Sequence, residues 1–182
     1  MFLGLLRKRR SIRQYEAQPV AQEQIDILVE AMLRSPSSRS LNPWHFVVVT
    51  TPSIIGELAR SKPHGAAFLA KAPLAIVVCG DPGVSDVWVE DCSIASVNLH
   101  LAATDLGLGS CWIQIRERNF DDSLSSEEYV QKVLGLKDGL RVEAIVAIGH
   151  PKEEKQGQPD SSLLYGRVSY EKYGQTGGSI VS

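Results

Sequence analysis

The stretch from Val87 to Leu106 constrains the fold more than any other part of the chain. It is the longest helical pattern present, and it carries Ser93, Ala95, Ser96, Ala102 and Ala103. Small side chains let a neighbouring backbone come close, so this helix is expected to be central and tightly packed. Gly107 follows it at the position that favours a left-handed cap.

Around that helix the chain alternates. Gln22 to Leu33 puts Ile25, Leu28, Val29 and Met32 on one helical stripe, and Pro36 rules out its continuation. Phe46 to Val49 is a β-branched run, and Thr51-Pro52-Ser53 then opens another helix with Ile54, Ile55 and Leu58. Leu74 to Cys79 reads as a buried strand closed by Gly80-Asp81-Pro82-Gly83, and Cys111 to Ile115 and Val142 to Ile148 supply two more. A further helix is expected near Glu127 to Leu134. Asp121-Asp122 and Glu127-Glu128 read as negative charge favoured at helix N-termini. After Gly149 the periodicity stops. Leu163, Leu164, Tyr165, Tyr170 and Tyr173 sit in a segment too short to bury them, which either covers the parent core or reaches onto a partner. Residues 1–173 are read as one domain and 174–182 as a disordered tail.

Composition narrows the function classes. With 19 Lys+Arg against 21 Asp+Glu the formal charge is −2, which offers no broad basic face for nucleic acid. No apolar run reaches the roughly 20 residues a membrane span needs, and the N-terminus does not read as a signal peptide. Cys79, Cys92 and Cys111 are far apart and odd in number. They are read as reduced core thiols of a cytoplasmic protein. His45, His64, His100 and His150 lack metal-ligand spacing, so no metal site is expected, and His100 is read as a core or interface residue.

Three segments carry chemistry. Arg9-Arg10-Ser11-Ile12-Arg13 is a cationic knot on a neutral chain, which suits one anionic small molecule, because guanidinium donates paired hydrogen bonds to phosphate. On this segment alone a solvated charged helix end, the commoner fate of a charge run, is the better explanation. Ser35 to Phe46, through Pro36, Ser37, Ser38, Ser40 and Asn42, offers hydroxyls and amides to a planar heterocycle or a polyol, or is a plain helix-to-strand connection. Gly107-Leu108-Gly109-Ser110-Cys111-Trp112-Ile113 permits close backbone approach but lacks the strand-then-helix setting of a dinucleotide fingerprint. There is no nucleophile elbow and no Walker loop. That absence points to chemistry carried by a cofactor, with the protein supplying binding and electrostatics.

Taken in order, Arg-Arg-Ser-Ile-Arg, Pro-Ser-Ser-x-x-x-x-Pro-Trp, Gly-Leu-Gly-Ser-Cys-Trp-Ile and Ile-Gly-His-Pro-x-Glu-Glu-Lys resemble the FMN-dependent nitroreductase family, from about Leu5 to Lys155. The resemblance implies an α+β fold: a mixed, largely antiparallel sheet sandwiched by helices, in a homodimer that exchanges C-terminal tails around the long helix. It also implies two FMN sites at the interface. Arg9, Arg10, Ser11 and Arg13 would hold the phosphate, the ribityl chain and the N1/C2 edge of the flavin, and Lys155 would add a phosphate contact. Pro36, Ser37, Ser38, Ser40 and Asn42 would come from the opposite subunit. Backbone groups of Ser110, Cys111, Trp112 and Ile113 would cover the N5/O4 edge. Arg13 would stabilise the reduced flavin electrostatically, and no side chain would be a catalytic acid.

The implied activity is an oxidoreductase that takes hydride from NADH or NADPH and reduces a small acceptor, such as a nitroaromatic or quinone, by a ping-pong mechanism. A specialised flavin or heterocycle oxidase, and a non-catalytic flavin-binding dimer, stand as alternatives. Two departures accompany the match. Ser40 and Asn42 stand where the family commonly has Asn and Gln, and Gln158 stands where it commonly has an arginine.

Overall fold

Four strands join into one sheet, β1 (Trp44–Val49), β2 (Leu74–Gly80), β3 (Gly109–Gln114) and β4 (Arg141–Gly149), in the order β1-β2-β4-β3, and all but β3 are rich in valine and isoleucine. The computed structural model describes residues 2–176. β2 is buried along its whole length and β4 everywhere except Arg141, as central strands covered on both faces must be. The ladder runs antiparallel throughout: Trp44 faces Gly80, Leu74 faces Ile148, and Gly109 faces Gly149. Among the described residues, the mixed character expected of the sheet is reduced to a single parallel bridge between Ser11 and Ser110.

Helices cover both faces. On one side α2 (Gln22–Leu33) and α4 (Trp88–Asp105) pack Leu28, Met32, Ala95 and Leu99 against Ile76 and Val146. On the other, α3 (Pro52–Leu58) and α5 (Ser126–Leu134) bring Ile55, Leu58 and Val130 onto Val77 and Ile145. Each fully buried Leu or Ile contributes about 1.5–3 kcal/mol. The small residues of α4 are what let it lie between sheet and α2, with Cys92, Ala95, Ser96 and Ala103 all buried. On its outer face Ile94 and Val97 stay 42% and 53% exposed.

The N-terminal apolar stretch forms the short helix α1 (Phe2–Lys8), with Phe2, Leu3 and Leu6 exposed. Residues Leu163, Leu164, Tyr165, Val168, Tyr170 and Tyr173 are exposed as well. Of the expected tail, residues 177–182 lie outside the described residues. The acidic pairs do more than complement helix ends. Asp121 closes a turn by accepting the Ser123 and Leu124 N–H groups, at 2.7 and 2.8 Å. Glu127 pairs with Arg141 and accepts the Val142 N–H at 2.9 Å, tying α5 to β4, while Ser125 and Glu128 form the capping box.

Val78 pairs with Ala144 but Cys79 pairs with Val142, so Glu143 is the extra residue of a β-bulge. The bulge turns its carboxyl toward α4, where Ser93 Oγ donates to Oε1 at 2.6 Å. Oε2 is buried without a hydrogen-bond partner.

Candidate functional site

The basic segment leaves α1 as an arm along the free edge of β3. The Ile12 N–H donates to the Ser110 carbonyl at 3.0 Å. This approach depends on glycine: a Cβ on Gly109 would stand 2.8 Å from Cβ and Cγ2 of Ile12. The sequence leaves open whether a positive φ or a clash explains such a glycine. Both occur, divided between two residues, with the clash at Gly109 and the φ of +74° at Gly107.

The arm is locked from its other side too. Tyr15 bridges Pro151, and its hydroxyl donates to the Ile12 carbonyl at 2.5 Å, with the Ala147 carbonyl at 3.3 Å. Burial pushes this phenol far above its usual range, so it stays a donor. The Glu16 N–H bonds the His150 carbonyl, and the Lys152 N–H bonds that of Gln14, each at 2.9 Å. Glu153 Oε1 accepts the Arg13 N–H at 2.6 Å and meets Lys155 Nζ at 3.0 Å. The Arg13 hydrogen bond, foremost, and then Lys155 hold this carboxyl below the ordinary range. Lys155 also donates to the Ser11 carbonyl at 2.9 Å.

These contacts enclose a cleft of about 270 Å³ floored by Gly107 to Gly109 and Ile12. Four cations line it, Lys8, Arg9, Arg10 and Lys155, against the two carboxylates of Glu153 and Glu154. Arg10 donates to the Gln156 carbonyl. Arg13 points elsewhere, with its guanidinium carbon 5.8 Å from the centre of the Phe68 ring. Beneath the cleft, His100 Nδ1 lies 2.7 Å from Ser110 Oγ. Burial, and then the positive charge of Arg9, lower the imidazole pKa to about 4, so His100 is neutral and adds no competing charge. A surplus of fixed cations in a concave site fits a phosphate monoester.

Along β3 the side chains turn inward. Cys111 and Ile113 are buried, and burial raises the Cys111 thiol above its usual pKa against the opposing charge of Arg13. Trp112 Nε1 donates to Gln114 Oε1 at 2.9 Å. β3 is the last strand of the sheet, so one edge of its main chain faces away from β4.

The hydroxyl-rich loop stands apart from all of this. Arg39, Ser40 and Asn42 take φ values of 52°, 53° and 48°. A left-handed backbone costs an ordinary residue roughly 1–2 kcal/mol, so three in four positions need restraint. Ser37 Oγ donates to Asn42 Oδ1 at 2.8 Å and accepts the Asn42 N–H at 3.0 Å. The Ser38 N–H donates to Asp91 Oδ1 at 2.8 Å, and Asn98 Nδ2 donates to Ser35 Oγ at 2.8 Å. Pro36, Ser40 and Asn42 are exposed. The arm therefore reaches α4 near His100, and the loop reaches it at Asn98 through Ser35 and at Asp91 through Ser38, the latter about 14 Å from His100 along the helix axis.

So Arg9, Arg10, Ser11, Ser110 and Lys155 come together, the backbone of Cys111 to Ile113 adjoins them, the Arg13 side chain is turned toward Phe68, and Pro36 to Asn42 form a separate cluster within the chain. Sequence reasoning missed Tyr15, Glu153 and Asp91 as structural members of the two clusters, and read His100 as a core or interface residue without its bond to Ser110. Glu153 lay inside a quoted motif, and Tyr15 stood two residues beyond another. Asp91 had no signal, because a helix-borne Asp reads as an ordinary first-turn acid.

The profile of the nitroreductase family matches residues 6–63 and 55–150. An FMN-dependent nitroreductase from Clostridium difficile R20291 superposes with a TM-score of 0.92 at 41% identity, over 94% of this chain and 99% of that one. A protein of Archaeoglobus fulgidus, provisionally named NADH dehydrogenase/NAD(P)H nitroreductase, is 34% identical over 176 residues, 94% of this chain and 98% of its own length. The FMN reductase [NAD(P)H] of Bacillus subtilis is 29% identical over 180 residues, covering 85% of this chain and 67% of its own.

Proposed function

The chain belongs to the nitroreductase family, and on that premise we propose that it is an FMN-dependent oxidoreductase that takes hydride from NADH or NADPH and reduces a small acceptor such as a nitroaromatic or quinone. The observation that carries this reading is the cationic cleft at the start of β3, built from the segments the family motifs single out.

Bound there, FMN supplies the hydride and electron transfer. The chain's own residues bind and orient. Arg9, Arg10 and Lys155 take the phosphate, and Glu153 keeps Lys155 and the Arg13 main chain in register with Ser11. Arg13 is assigned to the N1/C2 edge, where fixed positive charge favours the reduced ring without reorganisation. Main-chain groups of Ser110 to Ile113 serve the N5/O4 edge, and Cys111 serves by position only. One open site used in turn by donor and acceptor gives ping-pong kinetics.

The site is completed in a homodimer. Ile94 and Val97 lie on α4 between Asp91 and His100, and both are exposed and apolar. A two-fold axis through that stretch crosses the helices antiparallel and carries the partner's loop to this chain's arm. Pro36, Ser37, Ser38, Ser40 and Asn42 then contact the flavin of the other subunit. The exposed aromatic tail from Leu163 to Tyr173 gains its cover in the same assembly.

Anaerobic titration of the purified protein with each nucleotide tests the activity. A yellow protein bleached by NADH or NADPH and recoloured by a quinone or nitroaromatic is expected. A protein that binds FMN but is reduced by neither nucleotide is a flavin-binding dimer, and one that binds none refutes the assignment.

A further inference from the structure

The loop at Pro36 to Asn42 is closed on itself by the Ser37–Asn42 pair, but that pair does not fix it to the body of the protein. Its ends are fixed: Asn98 holds Ser35, and the Asp81 N–H bonds the Pro43 carbonyl at 2.9 Å. Between those ends, among the described residues, the Ser38 N–H is the only main-chain group bonded to α4. Its acceptor, Asp91, is 2% exposed. Asp91 Oδ2 accepts from Ser85 Oγ at 3.1 Å, and that hydroxyl in turn accepts the Val87 N–H at 3.3 Å. Both carboxylate oxygens are thus committed, and neither serves as a cap for the first turn of α4.

We propose that Asp91 is a positioning residue of the cofactor site: by accepting the Ser38 N–H it holds the Ser37–Asn42 loop in the left-handed shape in which that loop meets the flavin. The proposal rests on the assignment of this loop to FMN given above. A carboxylate buried in a dry place strongly prefers to keep its donor, and three left-handed residues relax to ordinary backbone unless something external holds them. Ser38 immediately precedes Arg39 and Ser40, so releasing its N–H frees the strained part of the loop first. Asp86, the surface partner of Arg39, is exposed and anchors weakly by comparison.

The test compares FMN affinity, by flavin fluorescence, in Asp91→Ala, Asp91→Asn, Ser38→Pro and Ser38→Ala dimers, beside the melting temperature of each apo protein. Asp91→Ala is expected to weaken FMN binding at least about tenfold while the apo protein melts close to wild type. Asp91→Asn keeps an oxygen for the Ser38 N–H and should recover most of the affinity. Ser38→Pro removes the donor but suits the extended Ser37 before it, at φ −138°. It should match Asp91→Ala, whereas Ser38→Ala, which keeps the N–H, should lose less. If Asp91→Ala does not fold, the contrast of Asp91→Asn with Ser38→Pro decides. Equal affinity across the folded variants overturns the proposal, and so does a loss that tracks apo stability and is not recovered by asparagine. A wild-type protein that binds no FMN instead refutes the reading of the site.

Discussion

The arm from Arg9 to Tyr15 and the loop from Ser35 to Asn42 are the two halves of one proposed site, and they are built on opposite plans. The arm is fixed mainly by main-chain hydrogen bonds, to Ser110, His150 and Lys152, and by one glycine whose missing side chain admits Ile12. Of its charged side chains, Arg9 and Arg10 line the cleft, Arg10 donating to the Gln156 carbonyl there, and Arg13 lies over Phe68. The loop is tied to α4 by side chains, from Asp91 and Asn98, and closed on itself by the Ser37–Asn42 pair, and its backbone is strained. A site half held by backbone tolerates side-chain loss with a local effect. A half held by side chains fails when one buried tether is cut.

The largest effect expected from breaking that contrast comes at Gly109. Gly109→Val forces Ile12 off β3, and the arm with it. Overpacking of this kind costs about 1–3 kcal/mol, and the flavin content of purified protein should collapse. A yellow, normally melting Gly109→Val protein would mean the arm is not seated by its backbone. Next comes Arg13→Ala, which leaves the seat intact and removes one charge. It should slow reduction, or weaken binding, by about 1.5–3 kcal/mol while the dimer persists. Unchanged reduction kinetics in a flavin-loaded mutant would remove Arg13 from the site.

Two buried titratable groups sharpen the comparison through pH. Burial pushes Glu143 up to about 7, against the hydrogen bond from Ser93. A carboxyl raised in the folded state adds stability that is complete below its ordinary pKa near 4.5 and is lost as pH rises through about 7. Glu143→Gln should therefore gain on wild type across that window in pH-dependent melting, and parallel curves would contradict the burial account. His100 works from the acid side. Held neutral, it adds stability above its ordinary 6.5 that is lost as pH falls toward about 4. An anion held at Arg9 should raise the His100 pKa, which NMR titration with and without FMN would read directly. The smallest effect belongs to Cys111→Ala. It should cost about 1 kcal/mol and keep most turnover, and its complete inactivation in yellow dimers would make the thiol chemical.

The arm was largely legible in the sequence and the loop's support was not. Ser-Ile-Arg and Gly-Leu-Gly carry the arm's geometry in residues adjacent in the chain, and the helix over Gln22–Leu33 follows directly from its apolar stripe. The loop's tethers come from α4, more than fifty residues later in the chain. Only tertiary packing turns Asp91 and Asn98 toward it. Glu143 escaped notice for a related reason: strand alternation cannot anticipate a bulge that moves one side chain to the other face. Glu127 read as helix-end charge because its partner, Arg141, lies on a different element.

The central claim is that arm and loop meet only across two chains. Sedimentation followed at the flavin's visible absorbance, over a dilution series spanning the dimer–monomer transition, tests it directly. FMN should travel with the dimer and leave as the dimer dissociates, with added FMN shifting the transition to lower protein concentration. FMN sedimenting with a monomer, bound as tightly as in the dimer, would contradict the account.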